Sequence, residues 1–182
     1  GHLIEAACTY YEATGKRKLL DIAVKNAECI YDRFVMQNTE GVPGHPEIEL
    51  ALLRLYRLTE NKHFLELAKK FIDERGKAPD FWAREAKKRS WSVWNSDPWD
   101  NDYRQSAKPV REQTEAVGHA VRAVYLYTGM ADLAAETEDK ELFAACRRLW
   151  GNIVHRKMYI TGGIGSTVQG EAFTVDYDLP PD

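Results

Sequence analysis

An all-α protein built from αα-hairpin repeats is what the sequence predicts, and two patterns carry the prediction. Apolar residues recur at helical spacing from the first residues to about residue 157, with one long interruption. A phrase also repeats: Thr14-x5-Leu20-x2-Ala23 returns 45 residues later (14 to 59) as Thr59-x5-Leu65-x2-Ala68, then as Thr137-x5-Phe143-x2-Cys146. Each copy reads as a helix, a Thr-led turn and a second helix. A period of this length means helical hairpins stacked side by side, as an open solenoid or a closed α/α toroid.

In chain order, HLIEAACTYYEAT places Leu3, Ala6, Ala7, Tyr10 and Tyr11 at helical spacing, and TGKRKLL supplies the turn. LLDIAVKNAECIYDRFV then carries a stripe of Leu20, Ala23, Val24, Ala27, Ile30 and Tyr31. IELALLRLYRLTENKHFLELAKKFIDERG repeats the same grammar. The interruption follows at about 77–108, KAPDFWAREAKKRSWSVWNSDPWDNDYRQSAK. It holds Trp82, Trp91, Trp94 and Trp99 and is too long for a plain connection, so it reads as a functional insertion or an added subdomain. Stacking on sugar rings, and the alternative of a partner contact or a folded plug, suit it equally. A fresh helix is predicted near Pro109, a residue that tolerates the first helical turn.

Composition narrows the function. At 44% hydrophobic and 29% charged residues, the 182-residue chain is too apolar for disorder and long enough for one domain with a sizeable core. A net charge of −3 without a basic stripe argues against a nucleic-acid partner. No apolar run approaches the roughly 20 residues that span a bilayer, so no membrane partner is expected. Cys8, Cys29 and Cys146 lack CxxC or Cys/His zinc spacing, and no metal site is assigned to them. Cys8 and Cys29 fall at helical apolar positions, where a buried reduced thiol is expected, and this suits a cytoplasmic location. The chain opens in mid-helix pattern without Met and stops at DYDLPPD, so both ends read as cut. A partial stack of hairpins exposes apolar helix faces, which favours self-association.

Gly-His occurs three times, at His2, His45 and His119, each followed by a helical apolar pattern. Pro46 favours a helix start after His45, whereas His119 is placed inside a helix. In a ring of hairpins, equivalent helix ends converge on one cavity, so three imidazoles can meet there to donate to hydroxyls, orient a substrate or bind metal. Capping or core filling is the alternative for any single histidine, and it is preferred for His63 and His155. His2 also admits a reading as the remnant of an expression tag. Glu47, Glu49, Glu112, Gln113 and Glu115 lie nearby, and Glu115 to His119 is an i,i+4 spacing that puts both on one helix face.

The stretch GGIGSTVQGEAF lacks the GK[ST] ending of a phosphate loop and the helix of a dinucleotide fingerprint. It reads as a loop with several special backbone angles, ending in a carboxylate at Glu171. A stiff loop at a cavity rim can present a general acid, and a solvated loop glutamate is the plainer alternative.

Taken together, GHLIEAA, GVPGHPEIELALLRLYRLT, FIDERG, KPVREQTEAVGHAVRAVYLYTGMADLAAET, CRRLWGNIVHRKMYITGGIGS and GEAF…DYDLP resemble the catalytic domain of the bacterial β-L-arabinofuranosidase family of glycoside hydrolases. The resemblance runs the length of the chain and is weakest in the tryptophan-rich segment. It implies a single, partial domain over residues 1–182, belonging to an (α/α)6 barrel, and cleavage of terminal β-L-arabinofuranosides with retention. It implies an arabinose-containing oligosaccharide or glycoconjugate as substrate. It further implies a cysteine nucleophile held on zinc, with a separate glutamate as acid/base. By motif, Glu171 matches the acid/base, and His2, His45 and His119 match the sugar-contacting histidines. The family's zinc-ligand motif follows DYDLP and its nucleophilic cysteines come later still. This chain stops at Asp182, so nucleophile and zinc are expected outside it, and the fragment alone is expected to be inactive. A sugar epimerase or isomerase on an α/α toroid, and a helical-repeat interaction module, are the rival readings.

Overall fold

The computed structural model describes residues 1–92 and 96–180. Trp94 lies outside the described residues, as does Asp182. Three helical hairpins carry the architecture: α1 (His2–Thr14) with α2 (Lys18–Tyr31), α3 (Ile48–Thr59) with α4 (Lys62–Glu74), and α6 (Ala120–Thr137) with α7 (Lys140–Asn152). A shorter helix, α5 (Phe81–Arg89), stands in the tryptophan-rich segment. Among the described residues there is no strand; an isolated antiparallel bridge joins His119 to Ala172. The first helices of the hairpins pack in a row, α1 on α3 and α3 on α6, with α2 packed on α4 behind them. This inner row and outer row form part of an α/α barrel.

The repeated threonine closes each inner helix by one device. Thr14, Thr59 and Thr137 turn their hydroxyls back to the carbonyls of Tyr10, Leu55 and Leu133, at 2.6, 2.7 and 2.7 Å. The next residue, Gly15, Glu60 or Glu138, adopts the left-handed conformation and returns its N–H to the last turn. The outer helix then starts, capped by the side chains of Asn61 in the second copy and Asp139 in the third.

Beyond the turn, the predicted register holds only in the first copy. Three residues separate Thr14 from α2, but two separate Thr59 from α4 and Thr137 from α7. Counted from each helix start, the third, sixth and tenth residues are buried in all three copies: Leu20, Ala23 and Ala27; Phe64, Leu67 and Phe71; Leu142, Ala145 and Leu149. The expected third-copy pair, Phe143 and Cys146, is therefore one residue off, and Phe143 is exposed. Each buried Leu or Phe contributes about 1.5–3 kcal/mol, so the stripe, not the phrase, fixes how the helix sits.

Three further expectations are corrected. Cys29 faces solvent, because it lies off the Leu20–Ala23–Ala27 stripe of α2. Pro109 opens only a single 3-10 turn, Val110–Glu112. Gln113 is already extended, its side chain donating to the carbonyls of Gln105 and Lys108, and the chain turns away to bring the Ala116 N–H onto Asn152. The segment from Gln113 to Gly118 is consequently not helical, and Glu115 does not share a helix face with His119; it lies 3.6 Å from Lys157.

Candidate functional site

Helix starts and the loops before them gather the three predicted histidines at one end of the hairpins. His2 is the first residue of α1. His45 stands in the turn before α3, which begins at Ile48, not directly after Pro46. His119 caps the N-terminus of α6 from outside, its Nδ1 accepting the Arg122 N–H at 3.3 Å. The rings form a continuous series through a residue the sequence reading did not single out. His2 meets Tyr125 at 5.9 Å between ring centroids, Tyr125 meets His45 at 5.5 Å, and His45 meets His119 at 6.2 Å. His119 Nε2 then lies 3.2 Å from a carboxylate oxygen of Glu171. The four predicted site residues are brought together.

Glu171 is set in place by backbone. Its carbonyl accepts the Ala120 N–H at 2.9 Å, and Phe173 donates to the Gly118 carbonyl at 2.9 Å, so the glycine-rich loop is laid along the residues flanking His119. Gly118 has φ +69°, and a Cβ there would stand 2.0 Å from the Asp102 carbonyl oxygen, so only glycine allows this approach. Lys157, buried, clamps the far side by donating to the carbonyls of Ala116 and Thr174. His63 and His155 lie outside the constellation: His63 stacks on Tyr31 at 4.2 Å and approaches Glu28, and His155 is exposed.

Hydrogen-bond partners decide the ring protons. His119 Nδ1 accepts from the backbone, so the proton of the neutral ring sits on Nε2, toward Glu171. His45 Nδ1 lies 3.0 Å from the Pro46 carbonyl, which can only accept, so its proton sits there and Nε2 keeps a free lone pair. Burial, then the neighbouring Arg122 charge, lowers the His119 pKa, against an opposing pull from Glu171. The ring is thereby kept neutral near pH 7, a donor beside an acceptor. Glu47 orients His2, accepting its backbone N–H at 2.7 Å and lying 3.5 Å from its Nε2.

Beside Glu171 opens a groove of about 680 Å³, lined among others by Val121, Val124, Tyr125, Thr128 and Ile164. These α6 residues explain why that helix is apolar on both faces: Ala123, Leu126 and Met130 fill the core while Val121 and Val124 stay exposed to the groove. Trp82 stands behind the His45 loop, near Gly44, with Arg104 over its ring, whereas Trp91 and Trp99 are exposed.

The described residues do not fit a zinc centre. Among the described residues no three His, Cys, Asp or Glu side chains are grouped to hold a metal ion. Burial pushes the Cys8 and Cys146 thiols up to about 11, the reverse of what a metal-held thiolate needs. Among the described residues no helix is long and apolar enough to cross a membrane.

The fold is part of an α/α barrel, and the family match and solved relatives place the chain among glycoside hydrolase domains. Within that class it belongs to the β-L-arabinofuranosidase family GH127, whose catalytic-domain model matches residues 1–182. The non-reducing end β-L-arabinofuranosidase of Bifidobacterium longum subsp. longum is 45% identical over all of this chain, which spans 28% of that relative's length. A GH127 β-L-arabinofuranosidase from Geobacillus stearothermophilus T6 superposes with a TM-score of 0.88 at 48% identity, covering 98% of this chain and 28% of that one. The GH127 β-arabinofuranosidase BT3674 gives 0.82 at 47% identity, covering 98% and 26%.

Proposed function

We propose that this chain is the part of a β-L-arabinofuranosidase that holds the terminal sugar and delivers the proton to the leaving oxygen. The observation that carries the reading is the series His2–Tyr125–His45–His119–Glu171, two members of which, Tyr125 and Glu171, line the open groove. The relatives are named as β-L-arabinofuranosidases, which supports a glycan bearing β-L-arabinofuranose as the substrate. His45 Nε2 offers an acceptor to a sugar hydroxyl, while the His119 Nε2 proton is directed at Glu171.

Glu171 is mostly exposed at the groove, where the leaving oxygen of a seated sugar can reach its carboxyl. When the proton is delivered, the new carboxylate lies beside the His119 Nε2 proton. Attack on the anomeric carbon, and with it retention, we assign to residues outside this chain, where the zinc-held cysteine of the resemblance belongs. Cys8, Cys29 and Cys146 carry no part of it. In a β-L-arabinofuranosidase carrying this segment, Glu171→Gln is expected to lower turnover of substrates with poor leaving groups by about 10²–10⁴-fold while sparing activated aryl glycosides. Equal losses on both would remove the acid/base assignment. An epimerase would give Glu171 no such leaving-group dependence.

A further inference from the structure

Helix α4 breaks the rule of its sister repeats at one place. The fourteenth position from the helix start is buried and apolar in the other two copies, Tyr31 and Ile153, but in the second copy it is Arg75, 0% exposed. Its partner, Glu49, is 1% exposed, on the first turn of α3, against Gly129, where a Cβ would stand 3.1 Å from the glutamate's own Cβ. A buried ion pair is rarely the most stable filling for such a site; apolar side chains of similar volume do as well or better. Stability alone therefore does not explain an arginine here.

Its contacts do. One guanidinium nitrogen donates to the Pro43 carbonyl at 2.7 Å, in the loop that presents His45, and lies 3.5 Å from Glu49. The other Glu49 oxygen accepts the Glu47 N–H at 2.9 Å, and Glu47 holds His2. The second guanidinium nitrogen donates to the Arg104 carbonyl at 3.0 Å. The next residue, Gln105, donates from its side chain to the carbonyls of Val117 and His119 at 3.1 and 3.2 Å. Three arms thus leave one buried charge: one to the loop two residues before His45, one through Glu49 and Glu47 to His2, and one through Arg104 and Gln105 to the His119 carbonyl.

We propose that Arg75, locked by Glu49, is the positioning residue that sets His2, His45 and His119 in mutual register. It touches no substrate and acts through backbone carbonyls and Glu47. The proposal rests on the sugar-site reading for its purpose but not for its test.

The test follows ring protons by long-range ¹H–¹⁵N spectra of the 182-residue chain, with and without methyl β-L-arabinofuranoside. The variants are Arg75→Met/Glu49→Leu, which refills the space with apolar side chains, and Arg75→Lys, which keeps the charge on a single nitrogen. Both are expected to retain the helical circular dichroism and cooperative unfolding. Both are expected to lose the fixed Nδ1–H state of His45 and Nε2–H state of His119, and to bind the glycoside at least about tenfold more weakly. A folded variant that keeps the wild-type ring states overturns the proposal, whatever the sugar does. Unfolding of both variants also overturns it, since the pair would then serve the whole fold and not the cavity. A wild-type chain with no saturable response to the glycoside removes the sugar-site reading instead, and the ring states still decide the role of Arg75.

Discussion

Gly15 and Gly118 share one backbone conformation and differ in what surrounds them, and that difference can be measured. Both are left-handed, with φ of +70° and +69°. An alanine Cβ at Gly15 would meet nothing within 4 Å, whereas at Gly118 it would stand 2.0 Å from the Asp102 oxygen, 2.5 Å from its carbon and 2.6 Å from the Tyr103 Cα. Those neighbours are backbone, so they cannot step aside by a rotamer change. Gly15→Ala should cost only the left-handed strain, about 1–2 kcal/mol. Gly118→Ala adds an overpacking cost of roughly 1–3 kcal/mol, for a total of about 2–5 kcal/mol. Urea unfolding of each variant, followed by far-ultraviolet circular dichroism, reads both values against wild type. Gly118→Ala should also disturb the His119 resonances, because the Gly118 carbonyl anchors Phe173 and with it the Glu171 loop. Equal losses for the two variants would refute the close approach of the tryptophan-rich segment to the His119 cap.

Further outcomes follow from the helix register and the charges. Leu142→Ala should cost about 2–5 kcal/mol, since Leu142 is fully buried, while Phe143→Ala, at 54% exposed, should stay within about 0.5 kcal/mol. The reverse order in urea titrations would restore the register implied by the repeated phrase. Iodoacetamide applied to the folded chain near pH 8 should label Cys29 and spare Cys8 and Cys146, whose thiols burial holds at about 11; mass spectrometry of the peptides decides it. The Arg111 side chain, then the Leu142 N–H, holds the Asp139 pKa below the usual carboxylate range. Its contribution is therefore complete above the unfolded value, about 3.9, and is lost as pH falls through the folded value. Asp139→Ala should cost about 1 kcal/mol at pH 7 and progressively less in acid, a convergence that stability curves from pH 6 to pH 2 can confirm or deny.

The hairpins were legible because a buried stripe leaves a helical period in the sequence, and because a threonine closes each inner helix in the same way. The second and third stripes were misplaced by one residue, since a phrase match cannot see that the first turn is a residue longer than the others. The four site residues could be named because Gly-His and GEAF are local motifs. What joins them could not. Tyr125 looks like one more apolar residue on a two-faced helix, and the only trace of its role is that α6 is apolar on both sides. Arg75 lies in FIDERG, where a charge after a helix reads as solvated; its burial depends on Pro43, Glu49 and Arg104 arriving from three distant segments. Likewise, tertiary contacts of Gln113 and Ala116 overrode the helix that Pro109 suggested.

His2, His45 and His119 are proposed to form one sugar-holding wall beside Glu171. Titration of the chain with methyl β-L-arabinofuranoside, read by the imidazole resonances of all five histidines, tests it most directly. Saturable shifts are expected at His2, His45 and His119 with one shared dissociation constant, and none at His63 or His155. Absence of a saturable shift at the three, or equal shifts at all five, would contradict it.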